Sequence, residues 1–207
     1  MISHKYKCIF VHIPKTGGTS IENCIWPAPR NREDLWMGFV SSYRNKYQTG
    51  GLQHLLARHI RLEVGGNIFN AYFKFAIVRN PWDKLVSQYT YLRKRKDLQH
   101  YLGVTAETTF AQYIEAAALS DHVQLTPQVD FVNDENGLSI VDFIGRFETL
   151  KEDAQRIFSR IGIQNMILPH TQRSLREKDY RSYYTAETRD RVAQIYERDI
   201  ALFKYKF

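Results

Sequence analysis

Three short apolar runs divide the chain, and polar or turn-forming residues follow each of them. The runs are Cys8–Ile13, Tyr72–Val78 and Ser139–Ile144. Apolar runs rich in β-branched and aromatic side chains are typical of strands that are covered on both faces, as in a parallel sheet. We therefore predict three central strands. The first ends at Pro14, because proline lacks the N–H that a sheet ladder needs.

Most of the segments between these strands have the hydrophobic periodicity of a helix. Apolar side chains recur there at spacings of three and four residues, which places them on one face of a helix. After the second strand, Asn80 suits an N-cap, Pro81 the first helical position and Asp83 the first turn. The predicted helices begin near Thr19, cover Leu52–Leu62 and end at Gly65–Gly66, follow Pro81, cover Thr109–Leu119, run from Leu150 to Ile161, and begin again after Thr185.

The order of these elements predicts the fold class. Strands that alternate with helices indicate an α/β fold with a central parallel sheet flanked by helices, and ligands bind at the carboxyl ends of its strands. The 207 residues fit a single domain, residues 1–207, since no repeat, linker or low-complexity segment divides them. Two stretches lack regular patterns: residues 26–50, predicted to be a long loop or lid, and the basic, aromatic segment Ser174–Tyr184, predicted to fold over a ligand.

The turn after the first strand has the composition of an anion site. It contains Lys15, Thr16, Gly17, Gly18, Thr19 and Ser20. Glycine allows positive φ and close approach of the backbone to a ligand, and the free N–H groups of a helix start favour an anion. This P-loop-like strand–loop–helix unit does not match the triphosphate motif G-x-x-x-x-G-K-S/T, because Lys15 precedes the glycines. The alternative is a connection without a ligand.

A second candidate anion site follows the second strand. Arg79 stands at the end of that strand and offers a planar fork of donors suited to phosphate. Ser87 lies on the next helix, outside the apolar stripe that begins at Trp82. The alternative is that Arg79 pairs with a carboxylate at the edge of the core.

Composition and charge narrow the class of protein. No apolar run is long enough to span a bilayer, and Met1–Lys7 lacks a signal-peptide stretch, so we expect a cytoplasmic protein without a membrane partner. Cys8 and Cys24 are too few for a disulfide framework, and no His, Cys or acidic cluster predicts a metal. The net charge of +7 attracts anions in general. The run Arg93–Lys96 is expected to be a solvated helix end.

Two motifs carry a family resemblance. Pro14–Ser20 resembles the 5′-phosphosulfate loop of sulfotransferases that use 3′-phosphoadenosine 5′-phosphosulfate (PAPS), and Val78–Ser87 resembles their 3′-phosphate segment. Within that family the chain looks most like a bacterial-type, soluble member of the carbohydrate O-sulfotransferase branch that includes the heparan, dermatan and chondroitin enzymes. The resemblance implies PAPS as donor, a carbohydrate hydroxyl as acceptor, and no metal. It assigns Lys15–Ser20 to the 5′-phosphosulfate, and Arg79 with Ser87 to the 3′-phosphate.

The same resemblance implies further site residues. It places Arg146 near the 3′-phosphate or the adenine and makes Phe147 a wall of the base pocket, although an aromatic residue there is otherwise part of the core. His122, Gln128 and Asp130 lie in a stretch that resembles the acceptor side of some members. Ordinary loop polarity is the alternative for these three residues.

Transfer to an alcohol needs a general base, because the pKa of an alcohol is far above 7. Among the seven histidines, His54 occupies the position at which the resembled branch carries a catalytic histidine. His59 is the alternative base, and a structural role for either histidine is also open. Lys15, facing the leaving oxygen, and His54 are the predicted catalytic residues.

These expectations describe a PAPS-dependent O-sulfotransferase that acts by in-line displacement and binds neither nucleic acid nor membrane. Other classes stay open. A Mg²⁺-dependent nucleotide kinase or other phosphoryl transferase would need a lysine after the glycines. A non-catalytic basic module for nucleic acid or anionic glycan is supported only by the charge and by Arg93–Lys96, and a family member that binds PAPS without transferring sulfate is a further alternative. The sequence indicates neither the acceptor nor an oligomeric state.

Overall fold

A four-stranded sheet lies at the centre of the protein, which the computed structural model describes for residues 1–27, 54–164, 168, 177 and 179–207. Its strands, in spatial order, are β1 (Ile2–Ser3), β2 (Cys8–Val11), β3 (Phe73–Val78) and β4 (Phe143–Arg146). The three strands β2, β3 and β4 are parallel, as predicted. The edge strand β1, which was not predicted, is antiparallel to β2. The predicted α/β class with a central sheet flanked by helices is confirmed.

Ten α-helices surround the sheet in the described ranges. They are α1 (Gly18–Ile25), α2 (Ala57–Val64), α3 (Gly66–Ala71), α4 (Pro81–Leu92), α5 (Lys96–Leu102), α6 (Phe110–Ala118), α7 (Gln128–Val132), α8 (Leu150–Arg160), α9 (Ala186–Ile195) and α10 (Glu197–Phe203). Two 3-10 turns, Phe147–Thr149 and Tyr180–Tyr183, complete these elements. No helix in the described part of the chain has the length and apolar character needed to cross a membrane.

The two faces of the sheet pack against different helices. Ile9 and Val11 belong to the core cluster that includes residues of α4, α6 and α9. Phe10 and Phe75 point to the opposite face, in the cluster that includes residues of α1 and α8. Side chains alternate between faces along a strand. Since both faces are covered, the central strands are apolar without interruption.

Helix ends agree with prediction where a local signal sets them. The Asn80 side chain accepts the Trp82 N–H at 3.1 Å, with Pro81 at the first helical position. Thr109 and Thr185 form capping boxes. Gly65, with φ 79°, ends α2 as expected. These signals act within a few residues, so the sequence carries them directly.

Other boundaries depend on distant contacts and were predicted wrongly. The last strand begins at Phe143 rather than Ser139, because the Asp142 carboxylate accepts the Lys74 N–H at 2.7 Å and replaces a ladder bond. The last helix is interrupted at Tyr196, whose hydroxyl donates to the Leu125 carbonyl.

The remaining predictions differ from the structure at a helix start or lie partly outside the described residues. The first helix begins at Gly18, one residue before Thr19. The second begins at Ala57, and residues 52 and 53 of its predicted range lie outside the described residues. Residues 28–50 of the predicted lid, and part of Ser174–Tyr184, also lie outside them. The described end of the Ser174–Tyr184 segment packs on α4, where the Tyr184 hydroxyl donates to the Trp82 carbonyl.

Candidate active site

The carboxyl ends of three parallel strands meet at one edge of the sheet. Val11 lies opposite Ala76, and Val78 lies opposite Arg146, so the loops after β2, β3 and β4 are neighbours. The Arg79 Nη1 donates to the Lys15 carbonyl at 2.9 Å. The two predicted anion-binding segments are therefore in direct contact, as expected for ligand sites in parallel sheets.

The loop after β2 turns through two residues in the left-handed region. Lys15 has φ 65° and Gly17 has φ 82°. This conformation costs a non-glycine residue about 1–2 kcal/mol, so the surroundings hold Lys15 in place. The buried Thr16 hydroxyl braces the turn by donating to the Ile13 carbonyl at 2.9 Å.

The start of α1 has the features of a phosphate cradle. Gly17 is the N-cap residue, and no described side chain makes a cap hydrogen bond to this helix. The first N–H groups of a helix have no intrahelical partner, and together with the helix dipole they favour an anion. Thr19 and Ser20 lie in this first turn and are half-buried. The residues present thus fit a phosphate or phosphosulfate group.

The Lys15 ammonium is held beside the loop by an aromatic ring. Its Nζ lies 4.0 Å from the centroid of the Tyr91 ring on α4. Arg95 packs against the same ring, with Cζ 5.2 Å from the centroid, and donates to the Tyr91 hydroxyl. Cation–π contacts of this kind contribute about 0.5–2 kcal/mol. Tyr91, which sequence reasoning did not select, therefore limits where the Lys15 charge can lie.

Arg79 connects the two loops through its buried guanidinium group. Its Nε donates to the Asp83 carboxylate at 2.8 Å, and Nη2 lies 2.7 Å from the same oxygen. The guanidinium also stacks on the Phe147 ring at 3.8 Å. Arg79 thus has a carboxylate partner, as expected if its role is structural. It also braces the loop between β2 and α1, Pro14–Gly17, which we call the phosphate loop. Ser87 is buried on α4, one turn beyond Asp83.

The backbone of Arg79 is held by Gln128, one of the predicted acceptor contacts. The Gln128 Oε1 accepts the Arg79 N–H, and its Nε2 donates to the Arg79 carbonyl, both at 2.8 Å. Asp199 in turn accepts the N–H groups of Gln128 and Val129 at 2.9 and 2.8 Å. Gln128 and Asp199 are fully buried. Their placement makes Gln128 a support for Arg79, and Asp199 is a contributor that the sequence pattern did not reveal.

Phe147 and Arg146 lie at the third loop but point in different directions. A Cβ added to Gly17 would lie 3.1 Å from the Phe147 ring, so Phe147 fills the space between the phosphate loop and Arg79. The Arg146 guanidinium instead donates to the Phe203 carbonyl and lies 4.7 Å from the Tyr205 ring centroid. The structure therefore brings Phe147, but not the Arg146 side chain, against the predicted nucleotide segments.

His54 lies directly beside the start of the phosphate loop. Its Nδ1 is 2.9 Å from the His12 carbonyl oxygen. Because a carbonyl only accepts, Nδ1 carries the proton and Nε2 keeps a lone pair when the ring is neutral. Burial, and secondly the nearby His12, lower the pKa of His54 to about 3. The imidazole is therefore neutral at pH 7.

The alternative base and the remaining acceptor candidates have other neighbours. His59 lies on α2, and burial and Arg58 lower its pKa. His122 is buried, and its Nδ1 accepts the Gln124 N–H at 3.2 Å. The Asp130 carboxylate lies 2.6 Å from the Arg198 guanidinium. Local structural contacts account for the positions of His122 and Asp130. Within the described ranges, no three His, Cys, Asp or Glu side chains are grouped to hold a metal.

A mostly parallel sheet, with a strand–loop–helix unit at its carboxyl edge whose residues fit an anion, defines the class of α/β protein. The chain belongs to the sulfotransferase family, whose family model matches residues 1–206. It is also 35% identical, over 104 residues, to an uncharacterized protein of Archaeoglobus fulgidus, a match that covers 50% of this chain and 79% of that protein. No solved structure matches the chain. Membership confirms the family predicted from the two motifs and indicates sulfuryl transfer as the class of reaction.

Proposed function

We propose that the protein is a PAPS-dependent O-sulfotransferase that acts on a carbohydrate hydroxyl, with His54 as general base. The hydrogen bond from Arg79 Nη1 to the Lys15 carbonyl carries this proposal. It joins the segment suited to the 5′ end of the donor to the segment suited to its 3′-phosphate. One nucleotide with phosphates at both ends can then contact both segments.

The chain's residues fall into groups around such a donor. The α1 N-terminus, with Thr16, Gly17, Gly18, Thr19 and Ser20, would hold the 5′-phosphosulfate, and Lys15 adds a positive charge there. Arg79 and Ser87 would hold the 3′-phosphate, with Phe147 against the loop. PAPS supplies an activated sulfuryl group on a good leaving group. The protein's contribution is alignment and fixed positive charge, which require no metal.

His54 is suited to accept the proton of the attacking hydroxyl. Its Nδ1 is committed to the His12 carbonyl, so Nε2 is the proton acceptor. A positioned base of this kind contributes about 10²- to 10⁴-fold to the rate. The carbohydrate class of the acceptor is supported by the resemblance of the Pro14–Ser20 and Val78–Ser87 motifs to the carbohydrate branch of the family.

A metal-free thermal-shift titration with adenosine 3′,5′-bisphosphate tests the donor site. A ligand at 100 times its dissociation constant stabilises the folded state by about 2.7 kcal/mol, which raises the Tm by a few degrees. We expect this shift in the wild type. We expect Arg79→Ala to abolish it, because that variant removes both the proposed contact to the 3′-phosphate and the hydrogen bond that joins Arg79 to the Lys15 carbonyl. Arg160→Ala is the matched control, since it removes an exposed arginine at the end of α8.

A shift in Arg160→Ala equal to that of the wild type would establish that general positive charge is not the cause. A shift with ATP and Mg²⁺ but none with the bisphosphate would contradict the proposal and favour a phosphoryl transferase. Mass-spectrometric detection of sulfated sugar products from PAPS then identifies the acceptor.

A further inference from the structure

His12 and Glu22 form a buried pair beneath the phosphate loop. The His12 Nδ1 lies 2.6 Å from Glu22 Oε1. His12 follows β2 directly, and Glu22 lies in the second turn of α1, so the contact joins the two ends of the loop. The two residues are only 6% and 3% exposed. The cost of burying a carboxylate and an imidazole can exceed what their attraction returns, so such a pair is weak evidence for a purely stabilising role.

The pair contacts the proposed base in two ways. The His12 carbonyl accepts the hydrogen bond from His54 Nδ1, and the two imidazole rings lie edge to face with centroids 4.6 Å apart. The His12 ring itself has little freedom. It stacks on Phe10 at 5.0 Å, and a Cβ added to Gly18 would lie 2.1 Å from its Nε2. The position of His12 therefore fixes both the carbonyl and the ring that face His54.

We propose that His12 and Glu22 are positioning residues that hold the His54 ring in its neutral, Nδ1-protonated form. The inference rests on the proposed function only for the role of His54 as base. Three titratable groups act on His54: the His12 ring after β2, the Glu22 carboxylate on α1 and the Met1 amino group before β1, whose own pKa burial lowers to about 5. The His12 charge lowers the pKa of His54, and Glu22 raises it less strongly. As a pair they disfavour a second proton on His54.

Removal of either member should change the titration of His54. A single buried charge without its partner is costly, so the residue left behind becomes neutral. In Glu22→Gln, the positive charge facing His54 is then lost, and the protonation midpoint of His54 should rise by about one pH unit or more.

Nuclear magnetic resonance of protein labelled with ¹⁵N-histidine measures these properties without any ligand. Comparison with His54→Gln identifies the His54 signals. In the wild type we expect a proton on His54 Nδ1 and on His12 Nδ1, and no protonation of His54 down to about pH 5, since burial disfavours the charged form. Glu22→Gln should raise the midpoint. Glu115→Gln, which removes an exposed partner of Arg191, is the matched control and should leave the midpoint unchanged.

A wild-type His54 with its proton on Nε2 would overturn the inference, and so would a midpoint that stays the same in Glu22→Gln. If Glu22→Gln does not fold, His12→Asn keeps a donor for Glu22 but lacks the ring charge, and it should raise the midpoint in the same way. Failure of the proposed function would appear separately, as absence of bisphosphate binding, because the histidine spectra need no nucleotide.

Discussion

A single hydrogen bond decides the chemical state of His54. Sequence position suggested this histidine as a base, but only the contact of Nδ1 with the His12 carbonyl identifies Nε2 as the atom with the lone pair. The low pKa of His54, about 3, results from burial and from His12. The ring is therefore neutral throughout the neutral pH range, with Nε2 unprotonated, and it becomes charged only when it takes up a proton.

Replacing His54 tests its role as base directly. In His54→Ala, turnover should fall at least about a hundredfold, because a positioned base contributes that much or more. Affinity for adenosine 3′,5′-bisphosphate should change little, since the phosphate loop and Arg79 are intact. Steady-state kinetics and calorimetric titration measure the two quantities.

His59→Ala is the control for that experiment, since His59 lies on α2. Full turnover in His59→Ala is expected. An unchanged turnover in His54→Ala would remove His54 from the mechanism.

At the scale of elements, the contact of α10 with α7 holds Arg79 in position. The helix α7 begins after Pro127 and has no side-chain cap of its own. The Asp199 carboxylate on α10 replaces that cap by accepting two N–H groups of the first turn. Gln128 on the same turn then holds the Arg79 backbone. The position of Arg79 thus depends on a residue 120 positions away in the sequence, Asp199.

Asp199→Asn should disturb this support. An amide offers one accepting oxygen instead of two, so one N–H of α7 loses a hydrogen bond to a charged group, at a cost of about 1.5–3 kcal/mol in the free energy of unfolding. Bisphosphate affinity should fall as well, because Gln128 no longer fixes Arg79. Urea unfolding and calorimetric titration check both expectations.

Asp190→Asn is the matched control for Asp199→Asn, because Asp190 is exposed on α9 and pairs with Arg189. Its effect on stability should stay within about 0.5 kcal/mol. Wild-type stability in Asp199→Asn would show that the carboxylate does not cap α7.

The sequence predicted those features whose signals lie within a few residues. The strands β2 and β3, the Asn80 cap and the helix start after Thr185 were predicted from local patterns and are confirmed, although β2 ends at Val11 rather than at Ile13. The first strand residue of β4 could not be predicted, because Asp142 competes with the backbone for Lys74 of a neighbouring strand. The supports of the site were missed for the same reason. The ten-residue spacing of His12 and Glu22 acquires meaning only when the loop between them folds.

Across the whole molecule, buried charge makes stability depend on pH. Lys84 is 2% exposed, and its Nζ donates to the Gln124 carbonyl at 3.1 Å. Burial lowers the pKa of Lys84 to about 8, although Asp199 opposes this effect. Between pH 8 and the unfolded pKa of about 10.4, the unfolded chain binds more protons at this lysine. The contribution of Lys84 to the free energy of unfolding therefore rises with pH in this range.

A comparison of wild type with Lys84→Met isolates this contribution. Below pH 8 the wild type bears the full cost of the buried ammonium, so the stability of the variant relative to wild type should be higher at pH 7 than at pH 10, by about 2 kcal/mol. Urea unfolding at the two pH values measures the difference. Burial also raises the pKa of Cys8, but that residue is present in both proteins and its effect cancels.

Lys94→Met, at an exposed position after α4, serves as the control. The difference between its free energy of unfolding and that of the wild type should be the same at pH 7 and pH 10. A stability difference between Lys84→Met and wild type that is equal at pH 7 and pH 10 would contradict the assignment of a depressed pKa to Lys84.

The contact between Gly18 and His12 has a consequence for engineering the loop. Gly18 does not have a positive φ, so its backbone conformation does not require glycine. The space does, because an added Cβ would overlap the His12 ring. The side chains at positions 12 and 18 therefore compete for the same space. A mutant library that varies position 18 alone will recover glycine, whereas a library that varies both positions together can recover pairs in which a smaller residue at 12 admits a larger one at 18.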